Sequence, residues 1–104
     1  MYSTAVATPS PKILAVDLDG TLLGPDRRIS VSDSAALSFV ADAGIQVIVA
    51  TGRSLYSARP VLDTLPVPAY VTLHNGALTI DPSGTELWRE AIKPEAAAAA
   101  IIAM

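Results

Sequence analysis

Ile13-Leu14-Ala15-Val16-Asp17-Leu18-Asp19-Gly20-Thr21-Leu22 runs four apolar residues straight into two carboxylates one residue apart, then a glycine and a threonine. A short unbroken apolar run is the pattern of a strand buried on both faces, as at the centre of a parallel sheet. Asp17 and Asp19 then fall at the strand's carboxyl end, where open α/β sheets place their ligands. Two acids this close repel each other unless a cation or a shared proton holds them. Gly20 permits a sharp turn and a close approach of backbone N–H groups to whatever binds. A plainer reading also fits: Asp19-Gly20 as a type I′ hairpin turn between Leu18 and Thr21-Leu22. A calcium loop of the EF-hand kind fails, because the positions that need glycine and glutamate, counted from Asp17, hold Leu22 and Arg28.

Working outward, Leu23-Gly24-Pro25-Asp26-Arg27-Arg28-Ile29 is polar and turn-rich, and reads as a short hairpin or flap beside the site. Ser30-Val31-Ser32-Asp33 supplies helix-capping oxygens. Behind it Ala36, Leu37, Val40 and Ala41 recur at helical spacing, and Gly44 suits a left-handed helix end. The spacing predicts a helix near 31–43. Residues 45–50 are a second buried strand, so strand, helix and strand form a right-handed parallel unit. Thr51-Gly52-Arg53 therefore ends the second strand as Asp17 ends the first. A hydroxyl, a glycine and a guanidinium there suit an anion; Thr51 as a helix cap, Gly52 as a turn and Arg53 as a solvated residue fit equally well.

Leu55, Ala58, Val61, Leu62 and Leu65 form a helical stripe, and Pro60 predicts a helix near 59–65 with proline in its first turn. Residues 69–73 make a third strand, followed by His74 as a polar loop residue. Asn75-Gly76 is a hairpin turn whose chemistry suffices to explain the asparagine. An antiparallel ribbon over 77–89 turns at Asp81-Pro82-Ser83-Gly84 and carries Trp88 on a half-covered face. Pro94-Glu95 opens an alanine-rich helix over 96–104.

With 104 residues, 51% hydrophobic, 16% charged and a net charge of −3, the chain is one domain's worth at most, neither disordered nor a nucleic-acid-binding polyelectrolyte. Nothing in that charge attracts anionic membranes, and no apolar run approaches the ~18 to 20 residues of a membrane helix. No cysteine is present, so there is no disulfide framework and no thiolate metal site, which fits a cytoplasmic location. Residues 1–11 lack a basic start followed by an apolar core; with Pro9, Pro11 and several Ser/Thr they read as a flexible leader rather than a signal peptide.

Asp17-Leu18-Asp19-Gly20-Thr21-Leu22 resembles the first motif of the haloacid dehalogenase (HAD) superfamily of phosphohydrolases. Val49-Ala50-Thr51-Gly52-Arg53 is similar to its second, whose threonine contacts the transferred phosphoryl group. Asn75-Gly76-Ala77 resembles a stretch of the Cof-type members, which carry a class IIB cap, where the asparagine lies near the active site. The resemblance covers nearly all of this chain but only the amino-terminal part of the family. It implies an α/β fold: a Rossmann-like parallel sheet, the amino-terminal half of a HAD core, with a β-ribbon extension. The divisions it implies are a leader over 1–11, a partial core over 12–92, and the start of a linker and cap helix over 93–104.

The function implied by the resemblance is a Mg²⁺-dependent phosphatase of small phosphorylated metabolites such as sugar phosphates. Asp17 is the implied nucleophile, forming an aspartyl-phosphate, and Asp19 the general acid/base. Gly20, Thr51, Gly52, Arg53 and Asn75 are the implied phosphate and substrate contacts, and the Asp17 carboxylate with the Asp19 carbonyl the implied Mg²⁺ ligands. The family's third motif, a lysine, and its fourth, an acidic pair, have no match: Glu90, Lys93 and Glu95 fall in the linker and the helix that follows. The expectation is a truncated chain, weakly active or inactive. A non-catalytic α/β module that binds a phosphorylated ligand or partner is the alternative, and a phosphomutase a third. No nucleic-acid or membrane partner is expected. The edge of the first strand, apolar and without charge or proline inside it, is expected to invite self-association.

Overall fold

The computed structural model describes residues 12–103. Strands β1 (Ile13–Asp17), β2 (Gln46–Ala50) and β3 (Tyr70–Leu73) are parallel; β4 (Leu78–Ile80) and β5 (Glu86–Arg89) add to them as an antiparallel ribbon. Together they make one five-stranded sheet in the order β1-β2-β3-β4-β5. Helix α1 (Val31–Asp42) connects β1 to β2, α2 (Leu55–Leu62) connects β2 to β3, and α3 (Pro94–Ala103) follows the ribbon. The α/β architecture and the strand positions agree with the sequence reading to within a residue or two. The proposed leader over 1–11 lies outside the described residues, as does Met104. No helix among the described residues is long and apolar enough to cross a membrane.

Each parallel strand is added on the same side of the one before it. Right-handed crossovers then put every connecting helix on one face of the sheet. Pairing register identifies that face, because residues directly opposite share a side. Leu14 stands across from Val47, Val16 from Val49, Val49 from Val71, and Val71 from Ile80. All of these but Leu14, with Leu73 and Leu78, meet Leu37 of α1 and Ala58 of α2 in one core. The alternate set (Ile13, Ala15, Ile48, Ala50, Tyr70, Thr72, Thr79 and Trp88) faces the other way and is exposed or half-buried. Neither α1 nor α2 covers it.

That corrects the reading of residues 13–16 as a strand buried on both faces. Ile13 is 58% exposed and Leu14 36%, and β1 lies at the sheet's edge. An apolar run reports what a strand prefers to touch; here one neighbour and one layer of helices supply only part of it.

Helix α1 starts where expected, with Ser30 Oγ accepting from the Asp33 N–H at 3.0 Å, and it is followed by Gly44 at φ +82°. Helix α2 differs. It begins at Leu55 because Ser54 is its cap, with Oγ accepting from the Ser57 N–H at 3.2 Å, and Pro60 sits inside it rather than in its first turn. Proline removes the hydrogen bond to the carbonyl four residues back. That carbonyl belongs to Tyr56, which is 93% exposed, so water can satisfy it. Residues 63–65 continue as tight turns, with Thr64 N–H donating to Val61 and Leu65 N–H to Leu62. In the ribbon turn, Asp81 Oδ1 accepts from the N–H groups of Ser83 and Thr85 and from the Ser83 hydroxyl, which holds that carboxyl below its ordinary range. Trp88 is 57% exposed on the uncovered face, as a half-covered ribbon position implies.

Candidate active site

The three parallel strands end at one edge of the sheet, so the segments that follow them meet there. Asp17 closes β1, Thr51 follows β2, and a turn at His74–Gly76 follows β3. Asp17 stands across from Ala50, and Ala50 from Thr72, all on the uncovered face. Asp17, Thr51, Gly52, Thr72, Asn75 and Gly76 line an open cleft of about 390 Å³ with Ala50 at its floor.

Asp17 is aimed by its neighbour. Its Oδ1 accepts from the Leu18 N–H at 2.9 Å, and Leu18 is fully buried. The chain then coils back on itself: Leu22 N–H donates to the Asp17 carbonyl and Leu23 N–H to that of Leu18. Gly20, at φ +76°, makes this turn possible. A type I′ hairpin at Asp19-Gly20 would need positive φ at both residues, and only Gly20 has it. The plainer reading of that pair therefore fails.

Thr51 is the one buried polar residue among those described, at 5% exposure. Its N–H donates to the Thr72 carbonyl at 2.9 Å, and its Oγ1 accepts from the Arg53 N–H at 3.0 Å. A hydroxyl has one proton to give besides the bonds it accepts, so Thr51 can still donate to an anion in the cleft. Asn75 comes over from the next strand end, with its N–H donating to the Thr51 carbonyl at 3.2 Å. It takes φ +56° within the expected turn, where Ala77 N–H donates to the His74 carbonyl. Its side chain also presses on Gly52, where an added Cβ would lie 2.9 Å from Asn75 Oδ1. Asn75 is thus both a turn residue and a wall of the cleft.

Arg53 and Asp19 form a pair. Nε donates to Asp19 Oδ2 at 2.9 Å and Nη2 to Oδ1 at 2.6 Å, a two-pronged contact, while Nη1 reaches the Ser57 carbonyl of α2 at 3.4 Å. The Arg53 hydrogen bonds hold the Asp19 carboxyl below the usual aspartate range, with help from the charges of Arg53 and of Arg27 on the flap; the Arg53 guanidinium is pushed up in return. This pair was not legible in the sequence, because 34 residues separate its members. Arg27 was likewise missed: it lies in the flap closed by the Leu23–Ile29 bridge, at φ +60°. Of the residues singled out, Asp17, Thr51, Gly52 and Asn75 line the cleft. Asp19, Gly20 and Arg53 are not among its lining residues.

Mg²⁺ prefers about six hard oxygen ligands in octahedral array. Among the described residues no group of three or more His, Cys, Asp or Glu side chains comes together. The Asp17 carboxylate and the Asp19 carbonyl are donors of the right kind, whereas the Asp19 carboxylate is engaged by Arg53. These residues fit part of a Mg²⁺ shell.

The profile of haloacid dehalogenase-like hydrolases matches residues 14–104. Phosphatase YwpJ of Bacillus subtilis is 36% identical over 81 residues, covering 78% of this chain and 28% of that protein. HMP-PP phosphatase of Klebsiella pneumoniae is 34% identical over 90 residues, covering 86% and 33%. Among solved structures, a haloacid dehalogenase-like hydrolase from B. subtilis superposes with a TM-score of 0.78 at 34% identity, over 88% of this chain and 32% of that one. A phosphatase of the same superfamily from Bacteroides thetaiotaomicron gives 0.81 at 28% identity, over 97% and 38%. The chain spans about a third of the length of these relatives. With Asp17 closing the first strand, Asp19 in the turn beyond it and Thr51 following the second strand, it belongs to the haloacid dehalogenase-like hydrolase family, as the amino-terminal part of a Cof-type core.

Proposed function

We propose that the cleft is the nucleophile side of a site that hydrolyses phosphomonoesters of small metabolites, such as sugar phosphates, with Mg²⁺. One observation carries the reading: a single carboxylate, Asp17, and the buried hydroxyl of Thr51 share a cleft at the carboxyl edge of the sheet. That the curated relatives are named phosphatases supports it.

In this reaction an Asp17 carboxylate oxygen attacks phosphorus. A P–O bond to Asp17 forms as the P–O bond to the alcohol breaks, and the departing oxygen takes up a proton. Water then attacks the phosphorus of the aspartyl-phosphate, losing a proton, freeing the carboxylate and releasing inorganic phosphate. Thr51 donates to a phosphoryl oxygen, and Gly52 lets the phosphoryl group approach the backbone. Asp19 is the proton carrier. Held ionised by Arg53, it is ready to accept the proton from water; to donate one to the alcohol it must first be protonated and Arg53 must yield. Arg53 is therefore a positioning residue that sets which half of the cycle Asp19 is ready for. Mg²⁺, when held by the Asp17 carboxylate and the Asp19 carbonyl, supplies the positive charge that lets an anionic substrate approach two acids.

No lysine lines the cleft. Absence of one preorganised charge contact commonly costs on the order of 10²- to 10³-fold in rate, so slow turnover is expected of these 104 residues. A non-catalytic phospho-ligand module is the second reading, favoured by the Asp19–Arg53 pair, which keeps the proton donor unprotonated. The test is phosphate release from p-nitrophenyl phosphate with Mg²⁺, by the 104-residue chain and by Asp17→Asn. Release that disappears in Asp17→Asn supports hydrolysis, and release that survives the substitution overturns it. No release, together with saturable phosphate-induced shifts of the Thr51 and Asn75 amide resonances, establishes the binding module instead.

A further inference from the structure

The flap and helices α1 and α2 border a groove that the proposed reaction does not use. It measures about 510 Å³ and shares no lining residue with the cleft. Arg27, Arg28 and Ile29 line it from the flap, and Ser34 from α1; Pro60, Val61 and Thr64 line it from α2 and the turns after it. Arg27 N–H donates to the Gly24 carbonyl at 2.9 Å, and Gly24 N–H to the Arg28 carbonyl at 3.1 Å, so residues 25–27 form a three-residue hairpin loop. The last residue of such a loop takes the left-handed conformation, for which glycine is best suited. Arg27 takes it instead, at φ +60°, and an arginine there carries a cost in strain. Among the described residues neither Arg27 nor Arg28 forms an ion pair; the pairs present are Arg53–Asp19 and Arg89–Glu86. Asp26 Oδ1 accepts from the Arg28 N–H at 3.1 Å, and Asp26, Asp33 and Asp63 do not line the groove.

We propose that this groove binds a small organic phosphate, separately from the cleft, with the phosphoryl dianion at Arg27 and Arg28 and an apolar body against Ile29, Pro60 and Val61. Charge selects the first half of this ligand. Guanidinium groups present forked donors that match phosphate oxygens, and these two have no carboxylate partner to give up. The flap backbone that carries them is pinned before any ligand arrives, because Leu23 bridges to Ile29 at its base and Asp19 bridges to Leu23. Ser34 lies just past the capped first turn of α1, near the positive end of the helix dipole, and its hydroxyl can donate a further bond. Size and polarity select the second half: small-molecule pockets span about 300 to 1,000 Å³ and are mainly apolar with a few polar groups. Thr64 Oγ1 already donates to the Val61 carbonyl at 2.6 Å, so it can only accept. It suits a hydroxyl of the ligand rather than its phosphoryl group. No carboxylate lines the groove, so a phosphate ester held there meets no aspartate nucleophile and is bound without being cleaved.

Phenylphosphonate is a suitable probe, because its carbon–phosphorus bond resists hydrolysis at Asp17. Titrated into the 104-residue chain, it is expected to shift the Ile29, Ser34 and Thr64 amide resonances along one saturable curve. Arg27→Gly removes a guanidinium while easing the left-handed turn. It is therefore expected to weaken binding by about tenfold or more with no loss of stability in urea. Arg28→Ala is expected to weaken binding by a similar factor. Methylphosphonate, which keeps the dianion and lacks the ring, is expected to bind several-fold more weakly than phenylphosphonate. Shifts confined to Thr51 and Asn75 would put the anion in the cleft alone and overturn the proposal, as would the absence of any saturable shift. Unchanged binding in Arg27→Gly overturns the role of the guanidinium, and equal binding of the two phosphonates overturns that of the apolar floor. If Arg28→Ala fails to fold, Arg27→Gly still decides.

Discussion

The two faces of the sheet are made from alternate residues of the same strands, and they have different fates. On one face Leu14, Val16, Val47, Val49, Val71 and Leu73 pack beneath α1 and α2. On the other, Ile13, Ile48, Tyr70, Thr72 and Trp88 remain partly or largely exposed, with Asp17 at the rim. Residue type does not decide this, since Ile13 and Ile48 are as apolar as the valines opposite. Topology does: strands laid down in one direction, joined by right-handed crossovers, receive both helices on the same side. The cleft opens toward the face left clear, where a ligand can reach Asp17 without displacing packed side chains.

The contrast can be broken most directly by truncating one residue from each face. Leu73→Ala, at a fully buried position, should cost about 2 to 5 kcal/mol. Ile13→Ala, in the same sheet but largely exposed, should stay within about 0.5 kcal/mol when measured in dilute solution. Urea denaturation compares them, and equal losses would erase the distinction between the faces.

An intermediate effect is expected at the rim. Gly52→Ala drives a methyl to 2.9 Å from Asn75 Oδ1, and overpacking of this kind costs about 1 to 3 kcal/mol. Adding Asn75→Ala should recover part of that loss. A double variant no more stable than Gly52→Ala alone would show that Asn75 is not what Gly52 makes room for.

The smallest effect sharpens the picture of the site's border. Asp19 should titrate below the ordinary aspartate value of 3.8, and Arg53→Ala should raise it. Because the folded-state value is the depressed one, the pair's contribution is present above about pH 4 and is lost as pH falls through the lowered value. Carbon-detected NMR titration of the carboxyl measures this, and an unmoved Asp19 titration in Arg53→Ala would mean that the pair does not persist in solution.

Much of this was legible in the sequence, and the part that was not shares one cause. The three strand runs, Ser30 as a cap and Asn75-Gly76 as a turn are local patterns, and each stands where local chemistry puts it. Asp17 and Thr51 at matching strand ends also follow, because parallel connections carry every carboxyl end to the same edge. What could not be read depends on partners distant in sequence. The bond from Arg53 to Asp19, the press of Asn75 on Gly52 and the exposure of Ile13 are set by tertiary placement, which no window of residues records. The start of α2 is the exception. Ser54 is a local cap signal, and it, not Pro60, sets where the helix begins.

The strictly sequential order of the sheet bears on how the molecule comes together in time. Among the described residues no strand has to insert between two that are already paired; each joins the one before it. A chain emerging from the ribosome at about 5 to 20 residues per second can therefore add strands in the order of their synthesis. The pace is uneven. Joining β2 to β1, and β3 to β2, requires closing a loop through an entire helix before any contact rewards it. The hairpin from β3 into β4 turns within four residues, 74–77, and hairpins of that kind form in about 1 to 10 μs. The ribbon is ready almost as soon as it is made, and β1, which ends in Asp17 and is made before the other described strands, is held in place only when the α1 crossover has closed.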